Sequence, residues 1–167
     1  MEEGKIVAAI EVGNEPWSYT DPNTNEYTGF SIDMITGFAE AIGVEVEFTP
    51  LEFSELIPAV QSGRADIISS NISRTAARAA TVLFTEPVGY SNCVVLVRED
   101  SGISSISDLD NADYTITAPA GSIQEELAKE NFPNADVSTL TSTTDAIAAL
   151  KAGRADAYVT DSIQAYP

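Results

Sequence analysis

The sequence predicts an α/β protein of two lobes, residues 1–90 and 91–167, each a mainly parallel β-sheet flanked by helices. Strand-like and helix-like patterns alternate as βαβαβ in the first half of the chain, and strands and helices alternate again in the second half. A motif also repeats, as I-P-A-V-Q-S-G-R-A-D at 57–66 and I-A-A-L-K-A-G-R-A-D at 147–156. Each copy is typical of a helix end, a glycine stop and the start of a strand, so the two halves are predicted to be similar.

The first half is predicted to contain strands at residues 5–11, 44–48 and 65–69, with a helix after each of the first two. Ser31 is expected to cap the first helix, with Phe30 packing onto Ile35, and Gly43 ends it. The apolar residues of this helix recur at helical spacing: Ile32, Ile35, Phe38, Ala39 and Ile42. A second helix is predicted at 53–62. Strands joined by helices in this way run parallel.

The second half begins with a long apolar segment, residues 88–97, that is predicted to be a strand. Further strands are predicted at 114–118, 135–140 and 155–160, and helices at 122–131 and 142–152. Cys93 lies in the apolar segment and is expected to be a buried, unreactive thiol.

The composition excludes several classes of function. The net charge of -18, with only eight Lys and Arg, argues against a nucleic acid or an anionic membrane surface as partner. The chain has no His, so imidazole catalysis and His metal sites are excluded, and we predict no cofactor or metal. No run of about 18 apolar residues is present that could span a membrane.

A polar segment follows the third predicted strand and contains Ser69, Ser70, Asn71, Ser73, Thr75 and Arg78. Hydroxyls, backbone amides and a guanidinium at the carboxyl end of a parallel strand are typical of an anion site, and the planar fork of Arg suits a carboxylate. In the alternative interpretation, the hydroxyls cap a helix and Arg78 pairs with a surface Glu.

The chain resembles, over essentially its whole length, the polar-amino-acid class of bacterial solute-binding proteins, which are kin to ionotropic glutamate receptor ligand-binding domains. The motifs that carry the resemblance are E-P-W at 15–17, Y-T-G-F-S-I-D-M at 27–34, F-S-E-L-I-P-A-V-Q-S-G-R-A-D at 53–66, S-x-T-x-x-R at 73–78, F-T-E-P at 84–87, A-G-S at 120–122 and A-L-K-A-G-R-A-D-A-Y-V-T-D at 149–161. The resemblance implies a periplasmic-binding-protein-like fold of type II, an amino acid bound between closing lobes, and the membrane permease of an ABC transporter as partner. It also implies an extracytoplasmic location, either the periplasm or the outer face of a Gram-positive membrane as a lipoprotein.

The same resemblance assigns ligand-binding residues. Arg78 would hold the ligand α-carboxylate, aided by Ser73 and the backbone around Asn71, and Asp161 would hold the α-ammonium. The alternative for Asp161 is a helix N-cap.

Further ligand contacts are expected from each lobe. The turn Gly121, Ser122 and Ile123 would face the ligand, although Ser122 with Glu125 also fits a capping box and Ile123 stands where a hydroxyl is frequent. A wall for the ligand side chain is expected from Asn14, Trp17 and Phe53, with Trp17 equally compatible with ordinary core. Glu11 would meet the ligand side chain and favour Arg, Lys, His or Gln; its alternative is a solvated acid at a strand end.

The first and last residues of the sequence lead to two expectations about the chain. M-E-E-G-K is not a signal peptide and is expected to be an initiator Met on a mature domain. Members of the class return to the first lobe after the second, whereas this sequence stops at Y-P, so we expect a truncated chain or a domain-swapped dimer.

A binding protein rather than an enzyme is therefore predicted. Two alternatives remain open: an enzyme on the same fold that resembles cyclohexadienyl dehydratase, with a buried Asp or Glu as its acid, and a sensory or receptor ectodomain.

Overall fold

Two main sheets, one in each half of the chain, organise the computed structural model, which describes residues 4–165. The described residues divide into two compact units between Val88 and Gly89. Met1, Tyr166 and Pro167, on which the expectations about the chain ends rest, lie outside the described residues.

The first unit contains β1 Lys5–Ile10, β2 Tyr19–Thr20, β3 Tyr27–Thr28, α1 Phe30–Ile42, β4 Glu45–Pro50, a 3-10 turn at Phe53–Glu55, α2 Leu56–Gln61, β5 Ile67–Ile68 and α3 Ala76–Ala79. Its main sheet has the order β4-β1-β5, and both strand pairs are parallel, as predicted. The core beneath it gathers around Ala9, Leu56 and Ala59, which are almost fully buried. The short antiparallel pair β2–β3 was not predicted.

The second unit contains β6 Cys93–Val97, a 3-10 turn at Ile106–Leu109, β7 Thr115–Pro119, α4 Ile123–Asn131, β8 Asp136–Leu140, α5 Thr143–Lys151, β9 Ala157–Asp161 and a 3-10 turn at Ser162–Ala165. The sheet order is β6-β9-β7-β8, parallel except for the edge strand β6. Ile116 and Ala118 point into one core cluster, and Tyr158 into another on the side of α5. Alternating side chains of the central strands therefore fill two apolar layers.

The repeated motif has the same structural role in both units. In the first copy, the carboxylate of Asp66 accepts a hydrogen bond of 2.9 Å from the Val7 amide of β1. In the second copy, Asp156 accepts one of 2.9 Å from the Thr115 amide of β7. Each aspartate therefore fastens the start of its strand to the neighbouring strand of a parallel sheet.

The start of α1 differs from the prediction. Gly29, with φ 117°, is the N-cap, and Ser31 lies buried in the first turn. The amides of Phe30 and Ser31 donate to the backbone carbonyls of Pro16 (3.1 Å) and Trp17 (2.8 Å). Because these carbonyls satisfy amides that a cap would otherwise serve, the predicted Ser31 cap is wrong.

Three further expectations are corrected. Phe38 and Ile42 of α1 are about half exposed, because only the face with Ile32, Ile35 and Ala39 points into the unit. The strand predicted at 88–97 is confined to Cys93–Val97, since the register pairs Cys93 with the last residue of β9. Cys93 is exposed at this edge rather than buried.

Candidate functional site

The carboxyl ends of the three parallel strands of the first unit lie side by side. The Leu51 amide, just after β4, donates to the Ile10 carbonyl of β1 at 2.9 Å, and the Ser69 amide, just after β5, donates to the Ala9 carbonyl at 2.9 Å. The segments that leave these ends carry most of the predicted ligand residues of this unit. Such an edge is where open α/β sheets bind ligands.

Arg78 is held in a defined orientation at this edge. Thr75 caps the short helix α3 and accepts a hydrogen bond from the Arg78 amide at 3.2 Å. The guanidinium donates from Nη1 to the Ser73 carbonyl at 2.9 Å, and its central carbon lies 5.4 Å from the centre of the Phe53 ring. The guanidinium is therefore oriented by a hydrogen bond and a cation–π contact within the first unit.

Phe53 makes a contact that was not predicted, while its expected contact with the ligand side chain stays a prediction. It begins the 3-10 turn after β4, where Glu52 and Glu55 form a capping box. The structure brings Phe53 to Arg78, where it supports the guanidinium, and this contact was not visible in the sequence.

A further hydroxyl lies in the same loop. Ser70 belongs to the predicted anion-binding segment but was not assigned an individual ligand contact, and its Oγ is buried and has no hydrogen-bond partner in the described part of the chain. Asn71 and Ser73 beside it are half-buried. An unsatisfied buried hydroxyl is uncommon and is a feature of sites that a ligand or water completes. The run S-S-N after an apolar strand was the available signal.

Glu11 and Asn14 form a buried polar pair at the end of β1. Each is 5% exposed, and Asn14 Nδ2 donates to Glu11 Oε2 at 2.7 Å. Ser18, also buried, donates its hydroxyl to the Glu11 carbonyl. Burial raises the pKa of Glu11, while the hydrogen bond from Asn14 lowers this pKa and the negative charge of Glu52 raises it again. The alternative of a solvated strand-end acid is therefore wrong.

Trp17 lies against helix α1. Its ring packs edge-on against Phe30, with ring centres 5.6 Å apart, and it is half-buried. The indole Nε1 is buried and has no hydrogen-bond partner within residues 4–165.

In the second unit, the turn before α4 is arranged as a helix cap. Ser122 is 2% exposed, accepts a hydrogen bond from the Glu125 amide at 3.1 Å and donates to the Pro119 carbonyl at 2.6 Å. The Glu125 carboxylate accepts from the Gly121 amide at 2.7 Å rather than from the cap residue itself. The predicted cap is confirmed, whereas ligand contacts by Gly121, Ser122 and half-buried Ile123 stay predictions.

Asp161 is the last residue of β9, half-buried and opposite Cys93 of β6. Burial and the negative charge of Asp161 raise the pKa of the Cys93 thiol, although a backbone hydrogen bond lowers it. The thiol is therefore less reactive than a free cysteine despite its exposure.

The described residues contain neither a membrane-spanning helix nor a cluster of metal-ligating side chains. No helix in residues 4–165 is both long and apolar enough to cross a membrane. Within the same range, no group of three or more Cys, Asp or Glu side chains is close enough together to hold a metal ion.

Comparison with known proteins gives consistent matches. Residues 6–158 match the model of the bacterial extracellular solute-binding proteins, family 3. The chain is 28% identical to the arginine-binding extracellular protein ArtP of Bacillus subtilis over 96% of this chain, and 32% identical to a probable histidine-binding protein of Campylobacter jejuni over 95%. It spans 62% of the length of each of these relatives.

Solved structures agree with the sequence matches. The crystal structure of an ancestral amino acid-binding protein, a precursor of cyclohexadienyl dehydratase, superposes with a TM-score of 0.92 at 35% identity. The match covers 97% of this chain and 72% of that one. The fold is that of the type II periplasmic binding proteins, as predicted.

Proposed function

Since this chain belongs to the bacterial extracellular solute-binding proteins of family 3, we propose that it binds an amino acid as the solute-binding component of an ABC transporter. The proposal extends to the membrane permease of that transporter as the partner. The family is extracellular, which supports action outside the cytoplasm, and we propose either the periplasm or the outer face of a Gram-positive membrane.

The orientation of Arg78 is the observation that carries the proposal. A guanidinium that rests on the Phe53 ring and is anchored to the Ser73 carbonyl presents a planar donor group without a further loss of side-chain freedom. We assign this group to the ligand α-carboxylate. The polar loop around Asn71 and the buried hydroxyl of Ser70 support the assignment, because a carboxylate has acceptors for several donors.

We assign the α-ammonium to Asp161 and further backbone and apolar contacts to Gly121, Ser122 and Ile123. A carboxylate is the right partner for an ammonium group in a site that excludes water. These four assignments rest on the resemblance in motif.

For the ligand side chain we propose a group that donates hydrogen bonds, either cationic or an amide. The support is the buried Glu11, whose carboxylate is bonded to the neutral amide of Asn14. A buried carboxylate without a cation is costly, and a donor on the ligand would reduce that cost. The names of two relatives, an arginine-binding and a probable histidine-binding protein, agree with this class of ligand.

A thermal-shift screen of the twenty amino acids tests the function directly. A true ligand raises the melting temperature because it binds only the folded state, and calorimetry then gives the affinity. Arginine, lysine, histidine and glutamine are expected to raise it most. No shift and no heat with any amino acid would contradict the proposal.

The enzyme alternative has less support, because the relatives are solute-binding proteins rather than enzymes. One observation keeps it testable: Glu11 is a buried acid with a raised pKa, which a dehydratase would need. Release of water from prephenate or arogenate would favour the enzyme, and amino-acid binding without turnover would favour the binding protein.

A further inference from the structure

The first unit buries the carboxylate of Glu11 without giving it a positive partner. Glu11 directly follows β1 and is 5% exposed. Asn14 Nδ2 donates to Glu11 Oε2 at 2.7 Å, and among the described residues no Lys or Arg lies within ion-pair distance of this carboxylate. A neutral amide compensates a buried negative charge only in part, so the ionised form of Glu11 is costly in the chain without ligand.

The loop after β1 keeps Glu11 and Asn14 together. The Asn14 amide donates to the Ser18 carbonyl at 3.0 Å, and the Ser18 amide donates to the Asn14 carbonyl at 3.0 Å. Ser18 is fully buried and donates its hydroxyl to the Glu11 carbonyl. These bonds close the loop on both residues, so they hold the Glu11 carboxylate in its buried position.

The charged groups of the neighbouring elements add to the cost of ionising Glu11. Burial raises the pKa of Glu11 most, and the negative charge of Glu52, just after β4, raises it further, although the hydrogen bond from Asn14 lowers it. Arg78, in the segment after β5, donates to the Ser73 carbonyl. The acidic residues of the other elements packed against β1 either lie beside its first half or are exposed on α1: Glu45, Glu47 and Asp66 in the first case, Asp33 and Glu40 in the second.

A cationic side chain of a ligand would supply the positive charge that Glu11 lacks. It stabilises the carboxylate relative to the carboxyl, so the O–H bond of a protonated Glu11 breaks and the proton passes to solvent as the cation binds. A neutral side chain of the same shape can donate hydrogen bonds but does not compensate the charge. Proton and ligand are coupled reciprocally: if the cation lowers the pKa of Glu11 by about one unit, protonation of Glu11 weakens the cation by about tenfold.

We infer that Glu11 distinguishes cationic from neutral side chains of the ligand, and that binding of a cation expels a proton from its carboxyl group, an inference that rests on the proposed function because it needs the ligand side chain at the end of β1. The affinity for a cationic amino acid is then greatest above the Glu11 pKa of the chain without ligand. This affinity is lost as the pH falls through that raised pKa.

The test compares arginine with citrulline, which has the same length and shape but a neutral ureido group in place of the guanidinium. Calorimetric titrations run from about pH 8 to about pH 4.5. The preference for arginine over citrulline is expected to fall at least about fivefold over this range, because only the cation depends on an ionised Glu11. Both ligands have the same α-carboxylate and α-ammonium, so titration of any group that holds these affects them equally.

Proton release is measured in the same titrations. Two buffers with different heats of ionisation are compared at each pH, and the difference between the observed heats gives the number of protons released. Arginine is expected to release protons toward the acidic end of the range and almost none at about pH 8. Citrulline is expected to release fewer protons than arginine toward the acidic end.

Three variants separate Glu11 from general effects of charge. Glu11→Gln keeps the shape but cannot titrate, so it should abolish the preference for arginine, the pH dependence of this preference and the proton release. Glu52→Gln should move the loss of arginine affinity to lower pH, because it removes a charge that raises the Glu11 pKa. Glu40→Gln makes the same charge change at an exposed residue of α1, and its arginine affinity should stay within about twofold of the parent at each pH.

Parallel pH profiles for arginine and citrulline, or proton release by arginine that persists in Glu11→Gln, would overturn the inference while leaving amino-acid binding intact. Absence of binding by both amino acids at every pH would contradict the proposed class of ligand, and this inference with it.

Discussion

Replacing Arg78 by alanine tests the proposed site most directly. The substitution removes the donor to the Ser73 carbonyl and the cation that rests 5.4 Å above Phe53. If Arg78 also holds the ligand carboxylate, the variant leaves that carboxylate without its charged partner. Such a loss costs about 2–5 kcal/mol when the pair is desolvated, which corresponds to an affinity lower by about 30-fold to 4,000-fold.

Arg78→Lys separates the contribution of the positive charge to ligand affinity from that of the guanidinium shape. Lysine keeps the positive charge but has neither the planar fork nor the stacking surface for the Phe53 ring. We expect an intermediate loss, about tenfold, because a point charge retains part of the attraction. Calorimetric titration of both variants with an amino acid found in the ligand screen measures these changes.

Two controls decide whether the effect comes from the carboxylate. Arg74→Ala makes the same charge change at an exposed residue of the same loop and is expected to change the affinity little. An amino acid amide, which lacks the carboxylate, should bind the parent weakly and should lose little more with Arg78→Ala. Equal losses for the Arg74 and Arg78 variants, or tight binding of the amide to the parent, would refute the assignment.

Three further predictions concern stability, each measured by denaturant unfolding. The folded pKa of Glu11 is raised above its ordinary value of 4.5, so the folded state binds more protons in the window above that value and stability falls as pH rises through it. Glu11→Gln should therefore stabilise the chain at pH 7, a gain that fades below about pH 4; an unchanged or lower stability at pH 7 would contradict it. For Asp66 the hydrogen bond from the Val7 amide lowers the folded pKa, so its stabilisation is present above 3.8 and is lost as pH falls through the folded pKa. Asp66→Asn should destabilise the folded chain at pH 7 and have little effect on its stability in strong acid. An equal effect at both pH values would count against stabilisation by the ionised Asp66 carboxylate. Gly29→Ala should lower the free energy of unfolding by about 1–3 kcal/mol, since φ is 117° and a Cβ would lie 2.5 Å from the Trp17 carbonyl oxygen. Gly37→Ala, in the middle of α1, should raise it by about 0.5–1 kcal/mol, because a Cβ there would meet no atom within 4 Å. Similar effects of the two substitutions would be evidence against both predictions.

Local patterns in the sequence were sufficient for much of the fold. The alternation of strands and helices, the parallel sheets and the Ser122 cap of α4 were predicted and are confirmed. The helix and strand patterns and the cap depend on residues a few positions apart, such as Ser122 and Glu125, whose hydrogen bond forms within one turn of helix. The parallel direction of the strands follows from the helices that join them. The polar loop that ends on Arg78 was likewise visible as a sequence of residue types.

Contacts between distant segments decided the features that were predicted wrongly. Ser31 has the residue type of a cap, but the carbonyls of Pro16 and Trp17 reach the start of α1 and take its amides. Phe38 has the spacing of a core residue, but it lies on the side of α1 that faces solvent. Residue type and spacing do not reveal how α1 is capped or which of its faces is buried, because both depend on which segment packs against the helix.

The sequence by itself determined that Arg78 follows a polar turn at the end of a parallel strand, and the resemblance in motif gave its proposed role. Only the tertiary structure placed the Phe53 ring beneath its guanidinium and buried Glu11 against the amide of Asn14. The strands that lead to Glu11, Phe53 and Arg78 are adjacent in the sheet although they are far apart along the chain. Burial and orientation arise from that adjacency, so they follow from the order of the strands rather than from the identity of any single residue.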